Sequence, residues 1–173
     1  MQWASNAAAA ACLCLDAFKF ARQQRGNRLS VVRLQPTVHG QGDHAFVPAL
    51  IDSARRNGFA AFVGDGANRW PAVDRLDAAR LFRLALEKAA PGSRLHGAAE
   101  EGMAFRGIAE AIGADLGLPV RSLTKEEARA HFDWLADFVT SDNPVSTAIT
   151  RNTLGWRPQE AGLPADMRDS GYF

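Results

Sequence analysis

The amino-acid sequence predicts an α/β fold. Short apolar runs that contain β-branched residues alternate along the chain with segments whose apolar residues recur at helical spacing. The chain has 173 residues, of which 47% are hydrophobic, and this is enough for one domain around a single core. Because strands that alternate with helices tend to run side by side in one direction, we expect a sheet that is at least partly parallel. No repeat or low-complexity linker divides the chain, so we expect residues 1–173 to form a single domain.

The overall charge and the apolar pattern exclude several classes of protein. Twenty Lys and Arg residues against nineteen Asp and Glu residues give a net charge of +1, which argues against a nucleic-acid-binding surface. No apolar run reaches the ~18 residues of a membrane span. The alanine-rich stretch at residues 7–15 has no Lys or Arg before it and is followed at once by Asp16 and Lys19, unlike a secretory signal. We therefore expect a cytoplasmic protein with neither a nucleic-acid nor a membrane partner.

Cysteine and histidine spacing predicts neither a disulfide nor a metal site. Cys12 and Cys14 lie two residues apart in a predicted helix, so their side chains point in different directions. The four histidines show no zinc-ligand spacing. They are His39, His44, His96 and His131.

In the first half of the chain, local signals place two helices and two strands. Caps, a proline and an Asn-Gly stop mark their ends. The predicted elements are a helix from Ser5 or Asn6 to about residue 24, a strand over 29–34 buried on both faces, a glycine-bearing loop over 37–44, a helix over 47–56 and a strand over 59–63.

The second half continues the alternation. Asp74 is a suitable helix N-cap, and Thr124-Lys-Glu-Glu127 is a capping box. The predicted elements are a helix from Asp74 to about residue 90, a strand over 94–98, a helix over 103–116, a strand over 119–123, a helix from the capping box to about residue 140, a helix over 144–154 and an irregular tail.

One motif resembles a dinucleotide-binding fingerprint. Gly40-Gln-Gly-Asp-His-Ala45 matches G-x-G-x-x-A, and Asp65 follows about twenty residues later. The fingerprint requires its first glycine in the turn directly after a strand, whereas Leu34, the end of the predicted strand, precedes Gly40 by six residues. We therefore expect a surface loop that does not bind a dinucleotide.

Four segments together resemble a known family. They are Ser30–Gly40 (SVVRLQPTVHG) continued by Gly42–Leu50 (GDHAFVPAL), Gly64–Ala79 (GDGANRWPAVDRLDAA), Ser93–Gly102 (SRLHGAAEEG) and Leu154–Pro158 (LGWRP). In this order they resemble the extended short-chain dehydrogenase/reductases, which are NAD(P)-dependent epimerase/dehydratase-like oxidoreductases. The resemblance covers about residue 17 to the end and leaves residues 1–16 as an atypical start.

The resemblance is confined to the substrate side of such enzymes. Their G-x-x-G-x-x-G turn and their Tyr-x-x-x-Lys pair are absent, since the only tyrosine is Tyr172 and no lysine follows it. The implied fold is the edge of a Rossmann-type parallel sheet plus the substrate-side α/β lobe, without the nucleotide-binding part. The implied chemistry is hydride transfer between NAD or NADP and a carbonyl or hydroxyl carbon of a small molecule, or an epimerisation built on that transfer.

This chain lacks the residues that perform that step. We therefore expect it to be inactive alone, not to bind the cofactor alone, and to associate with itself or with a separate N-terminal half. Two alternatives remain open, a non-enzymatic binding or scaffold module and a truncated gene product.

Candidate site residues fall in two groups. The resemblance implies that Pro36, Thr37 and Val38 lie near the nicotinamide, although an ordinary exit from a strand explains them equally well. The substrate-side candidates are a loop set and a set that combines a hydrogen-bond donor, a cation and an aromatic ring, which suits a polar or anionic substrate. These candidates are His39, His44 and Phe46, followed by Asn68, Arg69 and Trp70. The alternative is that the histidines are solvated and that Arg69 and Trp70 stack at the surface or at the edge of the core.

Asp74 stands where related sequences tend to have a histidine before Arg-Leu-Asp. An ionised carboxylate accepts hydrogen bonds but donates none, so a role for Asp74 as a donor in the cleft is not expected. We predict that Asp74 caps a helix.

Overall fold

The structure, a computed structural model, describes residues 29–173. The predicted N-terminal helix, with Cys12 and Cys14, lies outside the described residues. The strands are β1 (Val31–Leu34), β2 (Thr37–His39), β3 (Ala60–Val63), β4 (Arg69–Asp74), β5 (Arg94–Gly97), β6 (Glu100–Ala104) and β7 (Val120–Leu123). The helices are α1 (Phe46–Asn57), α2 (Arg75–Lys88), α3 (Phe105–Leu116), α4 (Lys125–Phe132), α5 (Ala136–Val139), α6 (Ala148–Leu154) and α7 (Leu163–Asp169), with a 3-10 turn over Asp133–Leu135.

The strands form three small sheets, and most of their pairs are parallel. β1 pairs with β5 and β3 pairs with β7, both in parallel. β2 lies parallel to β4, which pairs antiparallel with β6 on its other side. The predicted α/β class with a partly parallel sheet is therefore confirmed.

Two apolar clusters hold these sheets and helices together. The larger one packs α1 and α3 around β3 and includes Ile51 and Ile108. The smaller one packs α2 against β1, β5 and the C-terminal Trp156, with Leu81 fully buried between them. β4 contributes to both clusters, through Trp70 and Val73, so it joins the two halves of the core.

Local signals in the sequence account for several helix ends. Gly58 ends α1 in the left-handed conformation at φ 74°, as the Asn-Gly pair predicts. Asp74 caps α2, since its carboxylate accepts a 2.6 Å hydrogen bond from the Leu76 amide. At α4 the Thr124 hydroxyl accepts from the Glu127 amide, while the Glu127 carboxylate accepts from the Thr124 amide. These three predictions are confirmed.

Three strands were not predicted. The predicted loop over 37–44 is wrong in its first three residues, which form β2 beside β4. β4 contains Pro71, which has no amide hydrogen to donate, and its register with β6 shifts between Trp70 and Ala72. β6 covers Glu100–Ala104, so the predicted helix over 103–116 begins two residues late, at Phe105. Each of the three strands has a weak local signal. β2 has only three residues, β4 is interrupted by proline, and β6 contains Gly and two Glu residues.

Other predictions needed correction around the C-terminal helices. The predicted helix to residue 140 breaks after Phe132, because Asp133 adopts a positive φ of 51°, which ends the helical hydrogen bonding. The helix predicted over 144–154 begins only at Ala148, and the tail predicted to be irregular contains α7.

The strand predicted over 29–34 corresponds to β1, and its burial differs from the prediction. All four residues of β1 are half-buried instead of buried on both faces, and β1 pairs only with β5 among residues 29–173. Within that same range, no helix is long and apolar enough to cross a membrane.

Candidate functional site

Two parallel strands end side by side and place a histidine next to an aspartate. His39 is the last residue of β2 and is in register with Asp74, the last residue of β4. His39 is 1% exposed and Asp74 is 7% exposed. One carboxylate oxygen of Asp74 caps α2, so the aspartate is held at the start of that helix. The carboxyl ends of parallel strands are where α/β proteins usually bind ligands.

The C-terminal helix α7 adds a second carboxylate to this pair. Oδ2 of Asp166 lies 2.8 Å from Nδ1 of His39, and Asp166 is 6% exposed. The other oxygen of Asp166 accepts a short hydrogen bond from the Ser170 hydroxyl. Nε2 of His39 is buried and finds no hydrogen-bond partner among residues 29–173. One potential ligand atom from each of His39, Asp74 and Asp166 lies within 4.8 Å of the other two, and we call these three residues the His-Asp-Asp cluster.

The Tyr172 hydroxyl forms hydrogen bonds with the glycine loop that follows His39. Its hydroxyl accepts a 2.9 Å hydrogen bond from the Gly40 amide and lies 3.2 Å from the Gly40 carbonyl and 3.1 Å from Oδ2 of Asp43. Burial, the largest effect, raises the pKa of Tyr172, so the phenol stays protonated at neutral pH and donates to one of these oxygens. Gly40 has φ 130°, and a Cβ there would lie 3.0 Å from the Asp74 carboxylate. The loop therefore requires glycine beside the cluster.

A small cavity opens beside this loop. It has a volume of about 170 Å³ and is lined by Gly40, Gly42, Asp43, Pro48, Ser170, Gly171 and Tyr172. Two of its walls, the glycine loop and the C-terminal tail, also carry His39 and Asp166, so the cavity lies next to the cluster.

The predicted donor-cation-aromatic set is held by contacts within the chain. Trp70 is 4% exposed, and its indole NH donates a 2.5 Å hydrogen bond to the Thr37 hydroxyl. Arg69 is exposed and forms two side-chain hydrogen bonds, of 3.0 and 2.7 Å, with Asp142. These side-chain bonds, with a further one from the Arg69 amide, lower the pKa of Asp142 to about 2. Asn68 donates to the carbonyls of Val139 and Ser141, so all three side chains position neighbouring segments.

The remaining predicted site residues differ in burial and in the residues that surround them. Thr37 is buried, whereas Pro36 and Val38 are half-buried. His44 is exposed, so it does not share the surroundings of His39. Phe46 packs in an aromatic group, with ring centroids 5.9 Å from Trp70, 5.6 Å from Trp134 and 5.2 Å from Phe138. The predicted residues therefore occupy a buried centre, an aromatic wall and an exposed loop.

Sequence reasoning missed Asp166, Ser170 and Tyr172. All three belong to the tail that was predicted to be irregular, and Asp166 and Tyr172 contact residues more than 120 positions earlier. The signal that could have revealed α7 is Gly162-Leu-Pro164, since proline is favoured in the first turn of a helix and Gly162 is its N-cap.

A larger cleft lies elsewhere on the molecule. It has a volume of about 500 Å³, and its lining includes Arg56, Arg129, His131 and Trp134. Burial first, and the Arg56 charge second, lower the pKa of His131. None of the predicted site residues lines this cleft.

Comparison of sequences finds two close relatives. No family model matches the chain. An uncharacterized protein of Schizosaccharomyces pombe is 51% identical over 155 residues, which cover 90% of this chain and 52% of that protein. An uncharacterized protein of Saccharomyces cerevisiae is 47% identical over 146 residues, which cover 84% of this chain and 49% of that protein. The chain thus spans about half the length of the curated relatives it matches.

Comparison of structures identifies the fold. A nucleoside-diphosphate-sugar epimerase from Pseudomonas aeruginosa matches 93% of this chain and 55% of its own, with a TM-score of 0.68 and 19% identity. A dTDP-glucose 4,6-dehydratase from Streptomyces venezuelae, solved with NAD and TYD bound, matches 87% of this chain and 46% of its own, with a TM-score of 0.65 and 19% identity. This chain has the fold of about half of such an enzyme. Its epimerase/dehydratase-type fold agrees with the resemblance found in the sequence.

Proposed function

We propose that this chain is the substrate-side half of an NAD(P)-dependent oxidoreductase, of the epimerase or dehydratase type, that acts on a carbonyl or hydroxyl carbon of a small molecule. The observation that carries the proposal is the match of about nine-tenths of the chain to only about half of each enzyme. The position of the buried polar residues supports it, because they lie at the carboxyl ends of β2 and β4.

In this proposal the segment after β1 faces the cofactor. Pro36, Thr37 and Val38 bring backbone toward the nicotinamide of NAD or NADP, which a second part of the protein must hold. The Thr37 side chain is buried and its hydroxyl accepts from the Trp70 indole, which supports backbone of this segment as the part that faces the cofactor.

The substrate side then consists of the predicted residues that remain accessible, which are His44, Phe46, Asn68 and Arg69. His39 and Trp70 are buried, so they support these residues from behind and do not touch the substrate. Arg69 is exposed and pairs with an equally exposed Asp142, so an anionic group on the substrate can compete for the same guanidinium. An exposed ion pair is weak enough for such an exchange.

The first test uses the chain alone. Titration with NADH or NADPH, followed by nucleotide fluorescence, is expected to show no saturable binding below about 1 mM. Gly40 directly follows β2, so the gap of six residues expected between a strand and the first glycine is not present. The expectation now depends on the Gly40 amide, which already donates to the Tyr172 hydroxyl and is therefore not available to a pyrophosphate. Tight binding that Gly42→Val abolishes would contradict the proposal.

The decisive test supplies the missing part. A chimera joins the part of the Schizosaccharomyces pombe relative that this chain does not match to residues 29–173. We expect the chimera to bind NADH or NADPH, with a fluorescence change that saturates, whereas each part alone does not. A matched chimera with Gly40→Val separates the two roles, since it strains the loop beside His39 and leaves the added part intact. It is expected to keep dinucleotide binding and to lose substrate turnover.

A non-enzymatic binding module is the second candidate. It is favoured by one observation, namely that the donors of Asn68 and Arg69 are already engaged within the chain. A chimera that melts cooperatively and binds no dinucleotide would favour this candidate and overturn the first.

A further inference from the structure

The geometry points to a side chain that moves with pH: we propose that His131 is buried while it is neutral and turns into the neighbouring cleft when it takes up a proton. His131 is 5% exposed. Its imidazole packs against two phenyl rings, and its centroid lies 4.6 Å from that of Phe59 and 4.6 Å from that of Phe132. His131 also lines the cleft of about 500 Å³, which none of the predicted site residues lines, so this inference does not depend on the proposed function.

The buried position suits only the uncharged imidazole. Both ring nitrogens are buried and find no hydrogen-bond partner among residues 29–173. Moving a charged group into apolar surroundings without a partner is strongly unfavourable. Burial first, and the charge of Arg56 second, lower the pKa of His131, so both effects oppose a proton on the ring in this position.

The charged side chains around His131 divide into two groups. The elements that pack against α4 are α1, β3, β7, the 3-10 turn and α5. The charged residues of these elements and of α4 itself are Asp52, Arg55, Arg56, Arg121, Lys125, Glu126, Glu127, Arg129, Asp133 and Asp137. Those that line the cleft together with His131 are Arg56, Arg129, Asp52 and Asp133. The arginines repel a protonated imidazole, whereas the two carboxylates attract it and can accept hydrogen bonds from it.

The cleft offers the ring a position in which a charge is tolerated. Asp52 and Asp133 are exposed, and the 3.7 Å ion pair of Asp52 with Arg55 joins two exposed side chains, which makes it weak. The backbone does not have to follow the ring, because the His131 carbonyl accepts a 2.6 Å hydrogen bond from the Ser53 hydroxyl. A rotation of the side chain therefore takes the imidazole from the phenyl rings toward the carboxylates while α4 stays in place.

The direction of the pH dependence follows from the two positions of the ring. The buried ring has the lower pKa. The stabilisation that it gives is therefore fully present above the ordinary histidine value of about 6.5 and is lost as the pH falls below that value. In mildly acidic solution the ring leaves Phe59, and the contact between α4 and the segment before β3 is lost with it.

The direct test is an NMR titration of the full chain from about pH 7.5 to about pH 4.5, a range that spans the ordinary histidine value. The Hε1 proton of His131 is expected to lose its NOE contacts with the Phe59 ring as the imidazole titrates, while the far-UV circular dichroism stays unchanged. The midpoint should lie below that of His44, which is exposed. The proposal is overturned if the protonated ring keeps the Phe59 contact, if the helical signal is lost at the same midpoint, or if the midpoint equals or exceeds that of His44.

A double variant tests where the ring goes. Asp52→Asn with Asp133→Asn removes both carboxylates from the cleft, and asparagine tolerates the positive φ of Asp133. The midpoint of His131 is expected to fall by at least about 0.5 pH unit, which is about threefold in the protonation constant. Asp115→Asn is the matched control, because Asp115 is exposed and does not line the cleft. An unchanged midpoint in the double variant, or an equal fall in the control, would mean that the ring does not enter the cleft.

A second variant removes the proton acceptor and keeps an aromatic ring. His131→Phe can pack against Phe59 but cannot be protonated, so its melting temperature should fall less than that of the parent between about pH 7 and about pH 5. Equal falls in the two proteins would contradict the proposal.

Discussion

At the scale of single residues, Asp74 acts as the N-cap of α2. Its carboxylate accepts a hydrogen bond from the Leu76 amide, so Asp74→Ala is expected to lower the free energy of unfolding by about 1 kcal/mol, while Asp74→Asn changes it little. Thermal melts of both variants measure the two effects. Asp115→Ala is the control, because Asp115 is exposed and such substitutions stay within about 0.5 kcal/mol. Equal losses from both Asp74 variants would mean that the charge itself is needed.

The Arg69–Asp142 pair gives a pH-dependent readout. The pKa of Asp142 is about 2, below its ordinary value, so stabilisation by the pair is present above that ordinary value and is lost as the pH falls toward 2. In Arg69→Gln the pKa is expected to rise toward the ordinary value but not to reach it, because the Arg69 amide still donates to Asp142. A carboxyl NMR titration measures the two midpoints. An unchanged midpoint in the variant would mean that the pair does not form in solution.

Tyr172 controls the loop that carries Gly40. Tyr172→Phe removes the acceptor of the Gly40 amide, so we expect that amide to exchange its hydrogen at least about tenfold faster, since local opening governs exchange. The Gly66 amide, which donates to Val63, should exchange at the same rate in both proteins and serves as the internal control. Unaltered exchange at Gly40 would show that the loop is held by other contacts.

At the scale of elements, helix α3 offers a matched pair of glycines. A Cβ at Gly113 would lie 2.5 Å from Cγ2 of Val120 and 3.0 Å from the Leu118 carbonyl, whereas nothing lies within 4 Å of one at Gly107. Gly113→Ala is therefore expected to destabilise by about 1–3 kcal/mol through overpacking. Gly107→Ala should stabilise by up to about 1 kcal/mol, because alanine restricts the unfolded chain. Urea unfolding measures both, and the same sign for the two variants would place β7 further from α3.

Elements whose sequence signals lie close to their ends were predicted, whereas elements stabilised by residues distant in sequence were not. Both ends of α1 and the start of α4 were predicted closely, because Gly58 and the Thr124 capping box act within a few residues of those helix ends. β2 and β4 were missed because their stability comes from pairing with each other, 35 residues apart, and not from local pattern. The His-Asp-Asp cluster was missed for the same reason. His39 was named as a candidate and Asp74 as a cap, but no spacing rule connects either residue to Asp166.

At the scale of the whole molecule, β1 has a single strand neighbour, β5, within the part of the chain that the structure describes. Its four residues are half-buried. A strand with an unpaired edge attracts further strands or chains. We therefore expect the chain to form dimers or larger oligomers, or to aggregate, at tens of micromolar. Light scattering of the purified chain measures this state, and a cooperatively melting monomer that binds no hydrophobic dye would contradict the expectation.

The long sequence separation of the contacts around His39 also has a kinetic consequence. His39 and Asp166 are 127 residues apart, and Gly40 and Tyr172 are 132 apart, whereas helices such as α3 close through contacts four residues apart. Bringing distant residues together costs loop-closure entropy before any contact repays it, and folds rich in such contacts form slowly. In a stopped-flow refolding experiment, the hydrogen bond of Tyr172 should therefore be acquired after the helical signal, as the last ordering step of the chain.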